Sequence, residues 1–112
     1  KQLKNSLVKN NILILLSDQD AKKKGVKAKF FGIDSSTHTG AAILSKRNKS
    51  PIIYVSITSK NNIYEVEFVK INTSGSINDI VQQYTSEIEK TIINNPEQYF
   101  WFHKRWKSVK AY

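Results

Sequence analysis

Short apolar runs alternate with long polar stretches along the chain, and the runs differ in period. Residues 1–9 place Leu3, Leu7 and Val8 at helical spacing and give way to Asn10 and Asn11, which predicts the last turns of a helix. Residues 12–16 are continuously apolar, the pattern of a strand buried on both faces of a parallel sheet. From 17 to 36 the chain is largely polar, interrupted by Val26, Ala28 and the Phe30-Phe31 pair, and reads as a long loop; such loops inside compact domains are usually functional or disordered. Thr37 or Thr39 can cap a helix running to Lys49, with Ala41, Ala42, Ile43 and Leu44 facing inward and Lys46, Arg47 and Lys49 at the negative end of its dipole.

Pro51 opens a second apolar run over 52–58, so strand, loop, helix and strand follow in the order of a βαβ unit with parallel strands and a right-handed crossover. Lys60, Asn61 and Asn62 are turn-like. After them Tyr64, Val66 and Phe68 alternate with Glu65, Glu67 and Lys70, which predicts an antiparallel hairpin at the sheet edge. Ser76 can cap a helix whose stripe is Ile77, Ile80, Val81, Tyr84, Ile88 and Ile92, and which ends before Pro96. The expected fold is α/β, a mostly parallel sheet with an antiparallel edge hairpin and flanking helices at 1–9, 38–49, 76–95 and around 97–107. In open sheets of that kind ligands sit beyond the carboxyl ends of the strands, which marks 17–36 as the segment that carries a site.

A length of 112 residues fits one domain with one core. The absence of cysteine excludes disulfides, thiolate metal sites and thiol nucleophiles, and the longest apolar run is far short of the ~20 residues that span a bilayer. Lys1 opens the chain and no methionine occurs, so a processed chain or a fragment is expected. Eighteen Lys and Arg against nine Asp and Glu leave a charge of +9, which favours an anionic partner. The imbalance is concentrated in residues 1–60, with twelve basic residues against Asp18, Asp20 and Asp34. At the other end, Tyr99, Phe100, Trp101, Phe102, Trp106 and Tyr112 are interleaved with His103, Lys104, Arg105, Lys107 and Lys110, either a packed lid or a contact surface.

Four blocks carry the candidate chemistry: Asp18-Gln19-Asp20 after an apolar run, Phe30-Phe31-Gly32 followed by Thr37-His38-Thr39-Gly40, the run from Ser50 to Val55, and Pro96-Glu97-Gln98 with the aromatic and basic residues to Lys107. In order and spacing, from about Asn11 to Lys107, they resemble the bacterial lipid A biosynthesis (lauroyl/myristoyl) acyltransferases, a branch of the glycerolipid acyltransferases, and the single domain 1–112 resembles the C-terminal portion of that fold. That family's signature is a His followed five positions later by Asp or Glu, which orients the imidazole to deprotonate the acceptor hydroxyl. Here Ile43 follows His38 and Ser108 follows His103 at that spacing, so no catalytic residue is assigned. The resemblance implies that Asp18 and Gln19 shape the cleft floor or bind a sugar hydroxyl, that Gly32, Thr37, Thr39 and Gly40 help to hold a phosphorylated head group at a helix start, and that Glu97, Gln98 and Arg105 flank the cleft. The bland readings are an Asx turn at Asp18, a plain N-cap at Thr37 or Thr39, core packing of Phe30 and Phe31, and a solvated His38.

The implied function is transfer of an acyl chain from acyl carrier protein to a hydroxyl or hydroxyacyl group of a lipid A precursor or related lipid. It implies a phosphorylated glycolipid acceptor and a membrane surface as partners, at the cytoplasmic face of the bacterial inner membrane, and needs no metal, cofactor or nucleic acid. Two other readings remain open at this point. One is a small basic nucleic-acid-binding module whose 99–112 aromatics stack on bases; the other is an interaction domain surviving from a degraded enzyme.

Overall fold

A computed structural model of the chain describes residues 11–109, together with Asn5 and Leu7. Its strands form two separate antiparallel pairs, β1 (Val26–Phe30) with β2 (Ile33–Thr37) and β3 (Ile52–Lys60) with β4 (Ile63–Ile71). Helix α1 (Gly40–Asn48) joins the two hairpins and α2 (Ile77–Asn94) follows the second. Short 3-10 turns occupy Lys22–Lys24 and Pro96–Gln98.

The mostly parallel sheet expected from the sequence is therefore corrected: among the described residues every strand pairing is antiparallel and no βαβ unit forms. Residues 12–16 are apolar but lie outside any strand, with Ile12, Ile14 and Leu16 each more than 80% exposed. A run of apolar side chains identifies a buried strand only where neighbouring strands satisfy its backbone, and none does so here. The segment read as a loop holds β1 and β2 instead. Residues 97–107 form turns rather than a helix, and the helix expected at 1–9 falls outside the continuously described stretch.

The two hairpins share one turn chemistry. Phe31 and Gly32 have φ of 51° and 73°, and Asn61 and Asn62 have φ of 51° and 62°. Two consecutive left-handed residues make the tight turn whose twist matches that of the flanking strands. Gly32 adopts this geometry without a steric penalty, and nothing lies within 4 Å of where a Cβ would stand.

α2 organises the rest. Ser76 and Asp79 form a reciprocal capping box, the Ser76 hydroxyl accepting from the Asp79 N–H at 3.2 Å and the Asp79 carboxylate from the Ser76 N–H at 2.8 Å. Its apolar stripe puts Ile80, Val81 and Tyr84 against Ala28, Ala42 and Ile71, so the core draws on both hairpins and both helices. Three glutamine carboxamides then fasten exposed backbone. Gln82 accepts from the Lys29 N–H at 2.8 Å and donates to its carbonyl at 3.0 Å; Gln83 does the same at Asn72 (3.0 and 3.1 Å), and Gln98 at Ser59 (2.7 and 2.9 Å). A carboxamide has the donor and acceptor spacing of a peptide group, so each imitates a neighbouring strand at an edge.

The outer face of the β3–β4 hairpin is left bare. Ile53, Val55 and Ile57 stand opposite Lys70, Phe68 and Val66, and with Tyr64 they present an exposed apolar surface.

Candidate functional site

The loop before β1, strand β2 and the chain after α2 are drawn together by a buried polar cluster. Asp20 is 7% exposed. Its carboxylate accepts from the Lys22 N–H at 2.5 Å, an Asx turn, and from the Ser108 N–H and hydroxyl at 3.0 and 2.7 Å. Its own N–H donates to His103 Nε2 at 2.9 Å. Burial works to raise the Asp20 carboxyl, but the Ser108 hydroxyl, the Lys22 and Ser108 amides and the nearby Arg105 charge outweigh it and hold the group below the usual carboxylate value.

Arg105 is 1% exposed. One guanidinium nitrogen donates to the Ser36 carbonyl at 2.6 Å and another to the Thr37 hydroxyl at 2.7 Å. Its carbon lies 5.2 Å from the centre of the Phe30 ring, a cation–π distance. Phe30 is fully buried and also packs on Phe31, Tyr99 and Trp106, while Trp106 Nε1 donates to the Phe30 carbonyl at 3.2 Å. The 99–108 segment is thus a clasp over the β1–β2 hairpin.

That clasp positions the start of α1. Thr39 takes the N-cap position with helical dihedrals and makes no side-chain cap, while Ile43 N–H bonds its carbonyl. The first amides of α1 are left without a capping side chain, and this is the positive end of the helix dipole. Tyr84 fixes the approach by donating its hydroxyl to the His38 carbonyl, and burial pushes that phenol well above its ordinary value. Leu15 Cδ1 lies 4.0 Å from where a side chain on Gly40 would begin, and the Tyr99 hydroxyl reaches the Asp18 carbonyl at 3.4 Å.

The sites expected from sequence separate into three groups. Thr39 and Gly40 stand at the α1 N-terminus with Leu15 beside Gly40, while Asp18, three positions after Leu15, meets the Tyr99 hydroxyl through its carbonyl and has the exposed Gln19 next to it in sequence. Thr37 and Arg105 lie behind them, buried and bonded to each other. Gly32 sits at the open β1–β2 tip, Gln98 clamps β3 at Ser59, and Glu97 is exposed beside Gln98 at 3.3 Å. Asp20, Ser36 and Ser108 are given no role by the sequence reading, although Asp20 stands in the first of its blocks. An Asp followed at i+2 by a turn was the available signal for Asp20; nothing local announces Ser108, 88 positions away.

A profile of the bacterial lipid A biosynthesis acyltransferases matches residues 1–108. The chain belongs to that family. The lipid A biosynthesis palmitoleoyltransferase of Escherichia coli (strain K12) is 31% identical over 110 residues, covering 92% of this chain and 36% of the relative, and the lipid A biosynthesis acyltransferase of Shigella flexneri matches to the same extent. The chain spans about a third of the length of these curated relatives. Among its described residues no helix is long and apolar enough to cross a membrane.

Proposed function

We propose that the chain supplies part of the acceptor-binding side of an enzyme that moves a fatty acyl group from acyl carrier protein to a hydroxyl or hydroxyacyl group of a lipid A precursor or related lipid. The observation that best supports this reading is the N-terminus of α1, exposed at Gly40 and without a capping side chain, in a chain matched to the acyltransferase family over nearly its whole length. Free amides at a helix start suit a phosphate, and Asp18 and Gln19, shortly after Leu15 in the chain, suit the hydroxyls of a sugar. Gly40 leaves the approach to those amides open. Thr39 adds a hydroxyl at the same end.

In this reading Thr37 and Arg105 act behind the surface, holding the N-terminus of α1 through their mutual bond rather than touching the acceptor. Glu97 is exposed and available to orient the head group. The net charge of +9 suits both the phosphorylated acceptor and an acidic carrier protein. The setting is the cytoplasmic face of the inner membrane, with the membrane surface as the third partner. The nucleic-acid alternative gains nothing from the comparisons, and Tyr99 and Trp106, two of the aromatics it invoked, pack on Phe30.

Neither His38 nor His103 has a carboxylate five positions on, and loss of a general base typically costs ~10²–10⁴ in rate. Residues 1–112 alone are accordingly expected to be inactive. The test incubates them with acyl carrier protein bearing a radiolabelled acyl chain and a phosphorylated lipid A precursor, and follows label in the lipid. Absence of transfer with retained acceptor binding fits the proposal; transfer above the uncatalysed rate overturns the assignment of the chemistry elsewhere.

A further inference from the structure

At the opposite end of α1 from this site, a recess of about 360 Å³ opens between the helix C-terminus and the base of the second hairpin. Its lining carries Lys46, Lys49 and Lys70, with Ser50 and Thr73, and no carboxylate. We propose that the recess binds the oxyanion of a phosphate monoester. The inference is independent of the acyl-transfer reading, because it concerns other residues at another end of the helix.

The backbone explains why these lysines line one recess. Lys49 ends α1 in the left-handed conformation, φ 53° and ψ 33°, and reverses the chain so that Ser50 and Pro51 return alongside β4. Lys70 enters from β4, opposite Ile53. Cations that share the rim of one hollow repel one another, so a multivalent anion held among them is stabilising. Lys46 is partly engaged, donating to the Ser74 carbonyl at 3.2 Å and adding its charge to the Ser76 hydroxyl and amide that chiefly hold the Asp79 carboxyl below its usual value. The Lys49 and Lys70 ammonium groups have no partner among the described residues, and the Ser50 and Thr73 hydroxyls make no hydrogen bond there.

A helix C-terminus normally repels anions. Here that objection is weakened by local bonding: the Leu44 carbonyl accepts from Asn48 Nδ2 at 2.8 Å, and the Ser45 carbonyl accepts from the Lys49 and Ser50 N–H groups. A phosphate monoester carries about −1.5 to −2 at neutral pH and three acceptor oxygens, which matches two unpaired ammonium groups and two hydroxyls better than a carboxylate does. The volume lies at the small end of ligand sites, roughly 300–1,000 Å³, enough for a phosphate with a glycerol or one sugar ring.

The test is an amide-resolved NMR titration of the ¹⁵N-labelled chain. Inorganic phosphate and glycerol 3-phosphate probe a soluble source, and vesicles containing phosphatidic acid, against phosphatidylcholine alone, probe a lipid source. Saturating shifts at Lys49, Ser50, Lys70 and Thr73 are expected. Lys49→Glu with Lys70→Glu should weaken binding by about tenfold or more, as expected for reversing two surface charges near the ligand. Lys70→Glu alone should weaken it less, and Lys23→Glu with Lys24→Glu, an equal change of net charge, should leave it intact. Shifts that do not saturate, or equal losses in the two double variants, would show only diffuse attraction to a basic chain and overturn the proposal. Binding of either phosphate source in the expected pattern supports it and identifies the source.

Discussion

Replacing Arg105 by methionine removes the hydrogen bonds to Ser36 and Thr37 while nearly preserving side-chain volume, which tests the polar contribution of the clasp. Each bond has a charged donor, at 2.6 Å to the Ser36 carbonyl and 2.7 Å to the Thr37 hydroxyl. Bonds to charged groups contribute about 1.5–3 kcal/mol each. The acceptors keep partial partners, Ala21 N–H on the Ser36 carbonyl at 3.1 Å and the Ser35 hydroxyl near Thr37 at 3.3 Å, which reduces the loss. Burying the guanidinium also costs several kcal/mol, part of which methionine recovers. The net expectation is a destabilisation of about 2–4 kcal/mol, roughly 10–25 °C in Tm for a domain of this size. Arg105→Lys should recover less than half of it, because one ammonium cannot hold the two acceptors in the fixed geometry of a guanidinium. Thermal melts followed by Trp fluorescence and far-UV circular dichroism read the magnitude. Hydrogen exchange should show β1–β2 losing protection before α2. A shift below about 1 kcal/mol, or no preferential loss in β1–β2, would refute the view that the clasp holds this hairpin.

Four further outcomes follow from other contacts. The Asp20 carboxyl is depressed in the folded chain, so its stabilisation is present above the unfolded value and lost as pH falls through the lower folded one; stability should drop below about pH 4, less steeply in Asp20→Asn, by chemical denaturation across pH. Gly25→Ala places a Cβ 2.7 Å from the Thr37 carbonyl oxygen and from Ala21 Cβ, and should cost about 1–3 kcal/mol in urea titration. Ser76→Ala removes the hydroxyl half of the α2 capping box and should cost about 0.5–2 kcal/mol in the same assay. The exposed face around Val55, Val66 and Phe68 should drive self-association in sedimentation velocity, and Phe68→Lys should reduce it.

Elements with strong local signals were legible in the sequence. The β3–β4 hairpin follows from alternation up to an Asn-Asn turn, and α2 follows from its stripe and its Ser76 cap. The β1–β2 hairpin was missed although Val26-Lys27-Ala28-Lys29-Phe30 alternates, because the inward positions of β2 are Ser35 and Thr37 rather than apolar residues. Those hydroxyls can be buried because the Ala28 carbonyl, 7 positions away, and Arg105, 68 positions away, satisfy them. Residues 12–16 failed in the opposite sense: an apolar run states what a segment would bury, not whether a partner strand stands beside it.

The candidate site divides along the same line. Thr39 and Gly40 could be proposed from residue type at a helix start, and they do open α1; Asp18 was proposed from a strand end that does not form. Arg105 reads in sequence as one cation among several in an aromatic tail. Its burial against Phe30 and Thr37 depends on contacts that no local pattern encodes.

The central claim, that the start of α1 receives the phosphorylated acceptor, is tested most directly by titrating the labelled chain with a phosphorylated lipid A precursor in detergent and following its amides. The account predicts saturating shifts at Gly40, Ala41 and Ala42 with a companion shift at Asp18, weakened when Arg105→Met loosens the clasp. Unmoved α1 amides at a precursor concentration that shifts other parts of the chain would contradict it.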